Sequence, residues 1–188
     1  TGLLAKHCKV LVDLRDMNVR VIDTKHLMPL KAVLASNNTV YITAIDTRKP
    51  RINGIVYCSN KPVGLYTVDC DSREPREIVT NANVRGMMMS KKRDQMVYLR
   101  TDLGGAHFKP CQVVLFDLQE GHKILCELTV GSVFGMCLPE QMFTDTLYAS
   151  VQEGFYSRIV KIGLHDGAVE YVTPKGESWS VVAVVGVD

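Results

Sequence analysis

Three observations predict an all-β chain: about three and a half four-stranded antiparallel blades, forming part of a larger β-propeller. First, four stretches repeat one pattern of apolar-rich run, short polar turn and second apolar-rich run, which is the signature of a β-hairpin. They are KVLVDLRDMNVRVI at 9–22, GLYTVDCDSREPREIVT at 64–80, VVLFDLQEGHKILCEL at 113–128 and RIVKIGLHDGAVEYV at 158–172. Second, aligning Asp13, Asp69, Asp117 and Gly163 gives steps of 56, 48 and 46 residues. An all-β unit recurring every roughly 40–50 residues is how a propeller blade looks in sequence. Third, an apolar residue followed by Tyr recurs at Val40-Tyr41, Val97-Tyr98 and Leu147-Tyr148, with steps of 57 and 50. Two markers with similar spacing argue against chance self-similarity.

Taken in order, a partial blade at 3–22 supplies only an outer hairpin. The next blade, at about 30–80, opens with strands 32–36 and 39–45 around Asn37-Asn38, a dipeptide that tolerates the positive φ of a tight hairpin. A blade at 83–128 opens with strands 84–90 and 95–101 around the polar turn Lys91-Lys92-Arg93-Asp94. The blade at 132–173 pairs 133–138 with 146–152 across a connection at 139–145, and 179–186 starts another. Residues 1–188 thus read as a single propeller segment with no internal linker. Val19 and Val21 bracket Arg20, and Val160 and Ile162 bracket Lys161, the period-two alternation of a half-buried sheet. The runs MMMS at 87–90 and VFGMC at 133–137 are apolar on both faces and belong to innermost strands covered by neighbouring blades. The three methionines read as core packing.

Composition bounds the function classes. The chain has 188 residues, 46% hydrophobic and 22% charged, which is the balance of a soluble globular protein. A net charge of +2 points to neither a nucleic-acid nor a membrane-surface partner. The longest apolar stretch is seven residues with Gly186 counted, at 181–187, far short of the roughly 20 that span a bilayer. The opening TGLLAKHCKV carries no secretory signal pattern. The six cysteines, Cys8, Cys58, Cys70, Cys111, Cys126 and Cys137, are irregularly spaced and read as reduced thiols in a cytoplasmic protein.

Catalytic chemistry is not visible. A serine hydrolase needs a G-x-S-x-G elbow on a strand-to-helix turn. The nearest approach, Gly131-Ser132-Val133-Phe134-Gly135, has the wrong spacing and falls at an inter-blade turn. His7, His26, His107, His122 and His165 do not cluster, and His122 and His165 fall at hairpin turns, where solvated side chains are expected. His107 precedes Cys111 by four residues, but a metal site needs three or four ligands at structured spacings. His7 and Cys8 are strand neighbours pointing to opposite faces. Asp13, Asp69 and Asp117 sit beside hairpin turns, where a carboxylate accepts backbone N–H bonds and ends the strand. Lys91-Lys92-Arg93 lacks interleaved aromatics and reads as a solvated hairpin tip. No catalytic, cofactor-binding or metal residue is therefore assigned, and no cofactor is expected.

Loop length is the asymmetry with functional content. The connections between second and third strands run over 46–63 and 102–110, whereas the third blade needs only Glu153-Gly154-Phe155-Tyr156. Equivalent loops of successive blades emerge on one face, so the two long ones should share a rim.

Three runs carry a family resemblance: GIVYCSNKPVGLYTVDC at 54–70, MVYLRTDLGGAHFKPCQVVLFDLQEG at 96–121 and LYASVQEGFYSRIVKIGLHDGAVEYVTPKGESWSVV at 147–182. They resemble the propeller of the acylaminoacyl peptidases, which are prolyl-oligopeptidase-type serine hydrolases. The resemblance implies a propeller, typically seven-bladed, that restricts access to the triad of an α/β-hydrolase domain of the same full-length protein. It further implies that the whole enzyme releases N-acylated amino acids from short blocked peptides, in the cytoplasm, and allows for a homo-oligomer. The hydrolase domain is absent from this sequence, so the segment alone is expected to be inactive. The competing reading is a WD40- or kelch-like scaffold for protein–protein interaction. Against it, Trp179 is the only tryptophan and no Trp-Asp dipeptide closes a blade.

Overall fold

The computed structural model describes residues 9–13, 17–37, 39–49, 61–69, 74–104, 110–128, 136–137, 143 and 145–181. Among the described residues there are fourteen strands and no helix. Strands β1 (Lys9–Asp13) and β2 (Asn18–Ile22) form a two-stranded hairpin. The first four-stranded sheet joins β3 (Leu27–Leu34), β4 (Thr39–Asp46), β5 (Gly64–Asp69) and β6 (Arg76–Val79). The second joins β7 (Ala82–Met89), β8 (Gln95–Asp102), β9 (Cys111–Asp117) and β10 (Gly121–Leu128). The third joins β11 (Met136–Cys137), β12 (Thr146–Glu153), β13 (Tyr156–Gly163) and β14 (Val169–Tyr171). Every pairing within them is antiparallel and between consecutive strands, so each sheet is a meander and none closes on itself.

The strand period of two sorts side chains between interfaces. Along β4, Val40, Ile42 and Ala44 pack with Ile22 and Leu27, while Tyr41 turns to the second sheet and meets Met96, Tyr98 and Val114. On the second sheet Val97, Leu99, Val113 and Leu115 face the third, where Leu147, Ala149, Val151, Val160 and Ile162 receive them. The second sheet thus buries both faces against its neighbours, as a propeller blade does. Met87 and Met89 enter one interface and Met88 the other, all with at most 8% of their surface exposed.

One sequence marker fails as a strict repeat. Tyr41 and Tyr148 are the third residues of β4 and β12, but Tyr98 is the fourth residue of β8. A one-residue offset reverses the face. Tyr41 and Tyr98 consequently share one inter-sheet cluster instead of occupying successive ones.

Interruptions have local causes. Pro29 lies on β3, the edge of its sheet, at a register shift between Pro29 and Lys31. An edge bulge is where a residue without an N–H is tolerated, and the Lys31 N–H is taken up by Thr43 Oγ1 at 3.2 Å. The shift between Arg85 and Met88 contains Gly86 at φ 61°, a conformation open to glycine.

The turns between first and second strands bind the blades together. Ser36 N donates to Arg93 O at 2.9 Å, and Lys91 N donates to Phe143 O at 3.1 Å. The side chains of Lys91, Lys92 and Arg93 are exposed, but the backbone beneath them joins three blades. Of the predicted strand 179–186, residues 179–181 lie outside any strand: Trp179 N donates to Ser157 O and Val181 N to Ser150 Oγ. The rest of that stretch lies outside the described residues.

Candidate functional site

The two long connections are anchored at one end of the sheets. Val63, where the first returns, forms a parallel bridge with Asn83: Val63 N donates to Ala82 O at 3.0 Å and Val84 N to Val63 O at 2.9 Å. Asn83 Nδ2 also donates to Lys61 O at 2.9 Å. Ala82 is in turn the register partner of Asp102, from which the second connection departs. Both roots therefore meet at the start of β7. Residues 50–60 and 105–109, including His107, lie outside the described residues.

The departing root of the first connection is fixed by charge and by backbone. Asp46 is buried at the end of β4. Arg48 donates to its carboxylate from Nε at 3.1 Å, from Nη2 at 2.9 Å and from the backbone N at 2.9 Å. This fork holds the Asp46 carboxyl below its ordinary range against the opposing effect of burial. Thr47 donates to His26 O from both N and Oγ1, tying the root to the turn before β3. Lys49 Nζ reaches Glu77 Oε1 at 2.8 Å and Thr80 Oγ1 at 3.1 Å beside β6. Tyr66 Oη donates to the same Glu77 oxygen at 3.3 Å, and burial, with that carboxylate's charge, raises the Tyr66 phenol well above its ordinary value. Three consecutive loop residues thus clamp the sheet from its first strand to its fourth.

At the second root, Arg100 Nη2 donates to Asp102 Oδ1 at 3.1 Å, and Arg85 Nη2 lies 3.8 Å from the buried Cys111 Sγ. Cys111 and Cys126 are free thiols, and burial, helped by its neighbour Cys111, pushes the Cys126 thiol up to about 11. That makes it a poor nucleophile at neutral pH. The third blade closes the same connection with a tight turn, Gly154 at φ 61° and Phe155 99% exposed. Arg158 braces it, donating to Glu153 Oε2 at 3.0 Å and to Thr173 O while lying 4.0 Å over the Tyr171 ring.

The other residues weighed in the sequence disperse. His7, Cys8 and the stretch 131–135 lie outside the described residues. Asp13 and Asp69 end β1 and β5, and Asp117 ends β9. Asp117 accepts from Gln95 Nε2 at 2.9 Å and from the backbone N of Gln119 and Glu120, bonds that hold its carboxyl below the ordinary range. This is strand termination. His165 is 90% exposed, with Asp145 at 4.0 Å. His122 is exposed, as expected, but its ring is not free: it lies 4.5 Å from that of Phe116, and Nδ1 is 2.8 Å from Tyr98 Oη. Sequence spacing gave no hint of this pair, because Tyr98 and His122 sit on strands β8 and β10, which are not adjacent. Among the described residues no group of three or more His, Cys, Asp or Glu side chains could hold a metal.

No family model and no curated protein matches the chain. Solved structures do match its fold. TolB from Acinetobacter baumannii superposes with a TM-score of 0.54 at 16% identity, over 91% of this chain and 39% of TolB. A puromycin hydrolase gives 0.56 at 15% identity, over 82% of this chain and 24% of the hydrolase. An oligogalacturonate lyase solved in complex with manganese gives 0.60 at 12% identity, over 90% of this chain and 43% of the lyase. The chain therefore spans less than half the length of each. These likenesses establish a propeller-type fold.

Proposed function

We propose that the chain is the access-restricting propeller part of an acylaminoacyl-peptidase-like serine hydrolase, acting on short N-acylated peptides. The observation that carries this reading is the meeting of both long-loop roots at Ala82–Asn83, on one end of the stacked blades. Loops rooted side by side suit a rim that would narrow an entrance, so that short flexible peptides pass and folded proteins do not. The sequence resemblance at 54–70, 96–121 and 147–182 supports the family, and the likeness of the fold to a puromycin hydrolase supports a peptidase setting.

In this reading the chain supplies no catalytic group. The nucleophile, acid and base belong to an α/β-hydrolase domain of the full-length protein, which is cytoplasmic and of a family that allows for a homo-oligomer. The test is hydrolysis of N-acetyl-alanyl p-nitroanilide by the full-length protein, with and without a serine-directed fluorophosphonate. Inhibitor-sensitive turnover that declines steeply with peptide length supports the proposal. A coding sequence that holds further blades and no hydrolase domain overturns it in favour of an interaction scaffold.

A further inference from the structure

At the opposite end of the sheets from the loop roots, two rows of side chains face each other across the first inter-blade gap. One row crosses the first sheet through the register partners Tyr41, Thr67 and Arg76. The other crosses the second through Met96, Phe116 and His122. Near the inner strands the rows touch: Tyr41 and Phe116 pack edge to face with centroids 5.6 Å apart. Blades arranged radially diverge outward, so the same rows separate toward β6 and β10. What remains is a wedge-shaped groove of about 490 Å³ lined by Thr39, Tyr41, Thr67, Arg76, Glu77, Ile78, Phe116 and His122. That volume lies within the roughly 300–1,000 Å³ of small-molecule sites.

The lining chemistry is specific. The inner wall is aromatic, from Tyr41 and Phe116. Arg76 stands at the outer mouth with no acidic partner among the described residues, whereas Glu77, which also lines the groove, is already bonded by Lys49 and Tyr66. Thr39 and Thr67 add hydroxyls. The His122 ring is fixed on one side by Tyr98 Oη at 2.8 Å and on its face by Phe116. With Tyr98 donating to Nδ1, the neutral ring carries its proton on Nε2 and offers a donor. An anionic head with a flat apolar body satisfies both halves of this groove, since a guanidinium pairs with a carboxylate in a planar fork.

We infer that the groove between the first two four-stranded sheets binds an aromatic carboxylate, its ring against Tyr41 and Phe116 and its carboxylate on Arg76. Such a group comes from a free small molecule or from a peptide ending in an aromatic residue. The site lies away from the loop-bearing end, so it is independent of the peptidase reading. The test is calorimetric titration of the full-length protein with N-acetyl-L-phenylalanine, its carboxamide, and N-acetyl-Gly-Gly-Phe.

The carboxylate should bind at least about tenfold more tightly than the carboxamide, a difference of ~1.4 kcal/mol. Arg76→Gln should abolish that preference while leaving the thermal midpoint unchanged. Tighter binding of the tripeptide supports the site with a peptide terminus as the source; equal or weaker binding supports it with a free carboxylate. Equal affinity for carboxylate and carboxamide, full retention of the preference in Arg76→Gln, or no saturation by any of the three overturns the proposal.

Discussion

The phenol oxygen of Tyr98 lies 2.8 Å from Nδ1 of His122, joining the second and fourth strands of one sheet across the strand between them. Tyr98 is 1% exposed, and burial pushes its phenol up to about 12, so it stays protonated over the working pH range. Replacing it with Phe leaves Nδ1 without its partner at the cost of a hydrogen bond, about 0.5–1.5 kcal/mol. Tyr98→Phe is expected to lower the unfolding free energy measured in denaturant by that amount. It should also move the His122 titration, read by NMR from the ring protons, toward its ordinary value.

Acid sensitivity should begin at this ring. Burial, with Arg100's charge second, lowers the His122 pKa from 6.5. The unfolded chain therefore takes up a proton at a pH where the folded chain does not. The associated stability is fully present above about 6.5 and is lost as pH falls through the lower folded value. Asp46 and Asp117, lowered from 3.8, add a second decline at more acid pH. Urea midpoints measured from pH 8 to 3 should fall in two stages, and His122→Gln should remove the first.

Ser90 organises the turn that joins the blades. Its hydroxyl accepts from the backbone N of Asp94 and of Gln95 at 3.2 and 3.1 Å and donates to Asp94 Oδ1 at 2.8 Å. Asp94 O in turn accepts from Leu118 N at 3.1 Å, as Asp145 O does from Leu164 N at 3.0 Å in the next blade. Ser90→Ala strands partly buried backbone donors and is expected to cost about 1–3 kcal/mol in chemical denaturation. Loss of under a few tenths would mean that water replaces the hydroxyl there.

Two glycines with similar backbone separate conformational strain from packing. Gly154 has φ 61° and open space where a Cβ would stand, so Gly154→Ala should cost only the left-handed penalty, roughly 1–2 kcal/mol. Gly167 has φ 70°, but its Cβ would run into the backbone carbonyl of Leu125 on the neighbouring blade. Gly167→Ala adds overpacking to the same strain and should cost more than about 3 kcal/mol. Thermal midpoints of the two variants, measured side by side, check the order.

The valines of β2 form an exposed apolar row, Val19 at 57% and Val21 at 65%, next to Met17 at 67%. Apolar strand surface of this kind promotes self-association. Val19→Thr with Val21→Thr should reduce concentration-dependent association in sedimentation velocity without lowering the thermal midpoint.

The all-β class, the antiparallel four-stranded repeat and the innermost placement of Met87–Met89 follow from sequence alone, because period-two patterning and regular hairpin spacing are local properties of the chain. The same locality explains why Asp117 could be read as a strand terminator: its partners at Gln119 and Glu120 are two and three residues away. The position of Tyr98 could not be read so. One extra residue before it changes its face, and only the pairing register shows that it meets Tyr41 and not the following blade. The His122 bond and the aromatic groove belong to the tertiary structure as well. They arise where strands not adjacent in a sheet, and rows in two different sheets, converge inside and then splay outward. A linear pattern fixes which way a side chain points along its own strand. It holds no information about how wide the gap between two radially arranged blades becomes, and that gap is what makes the groove.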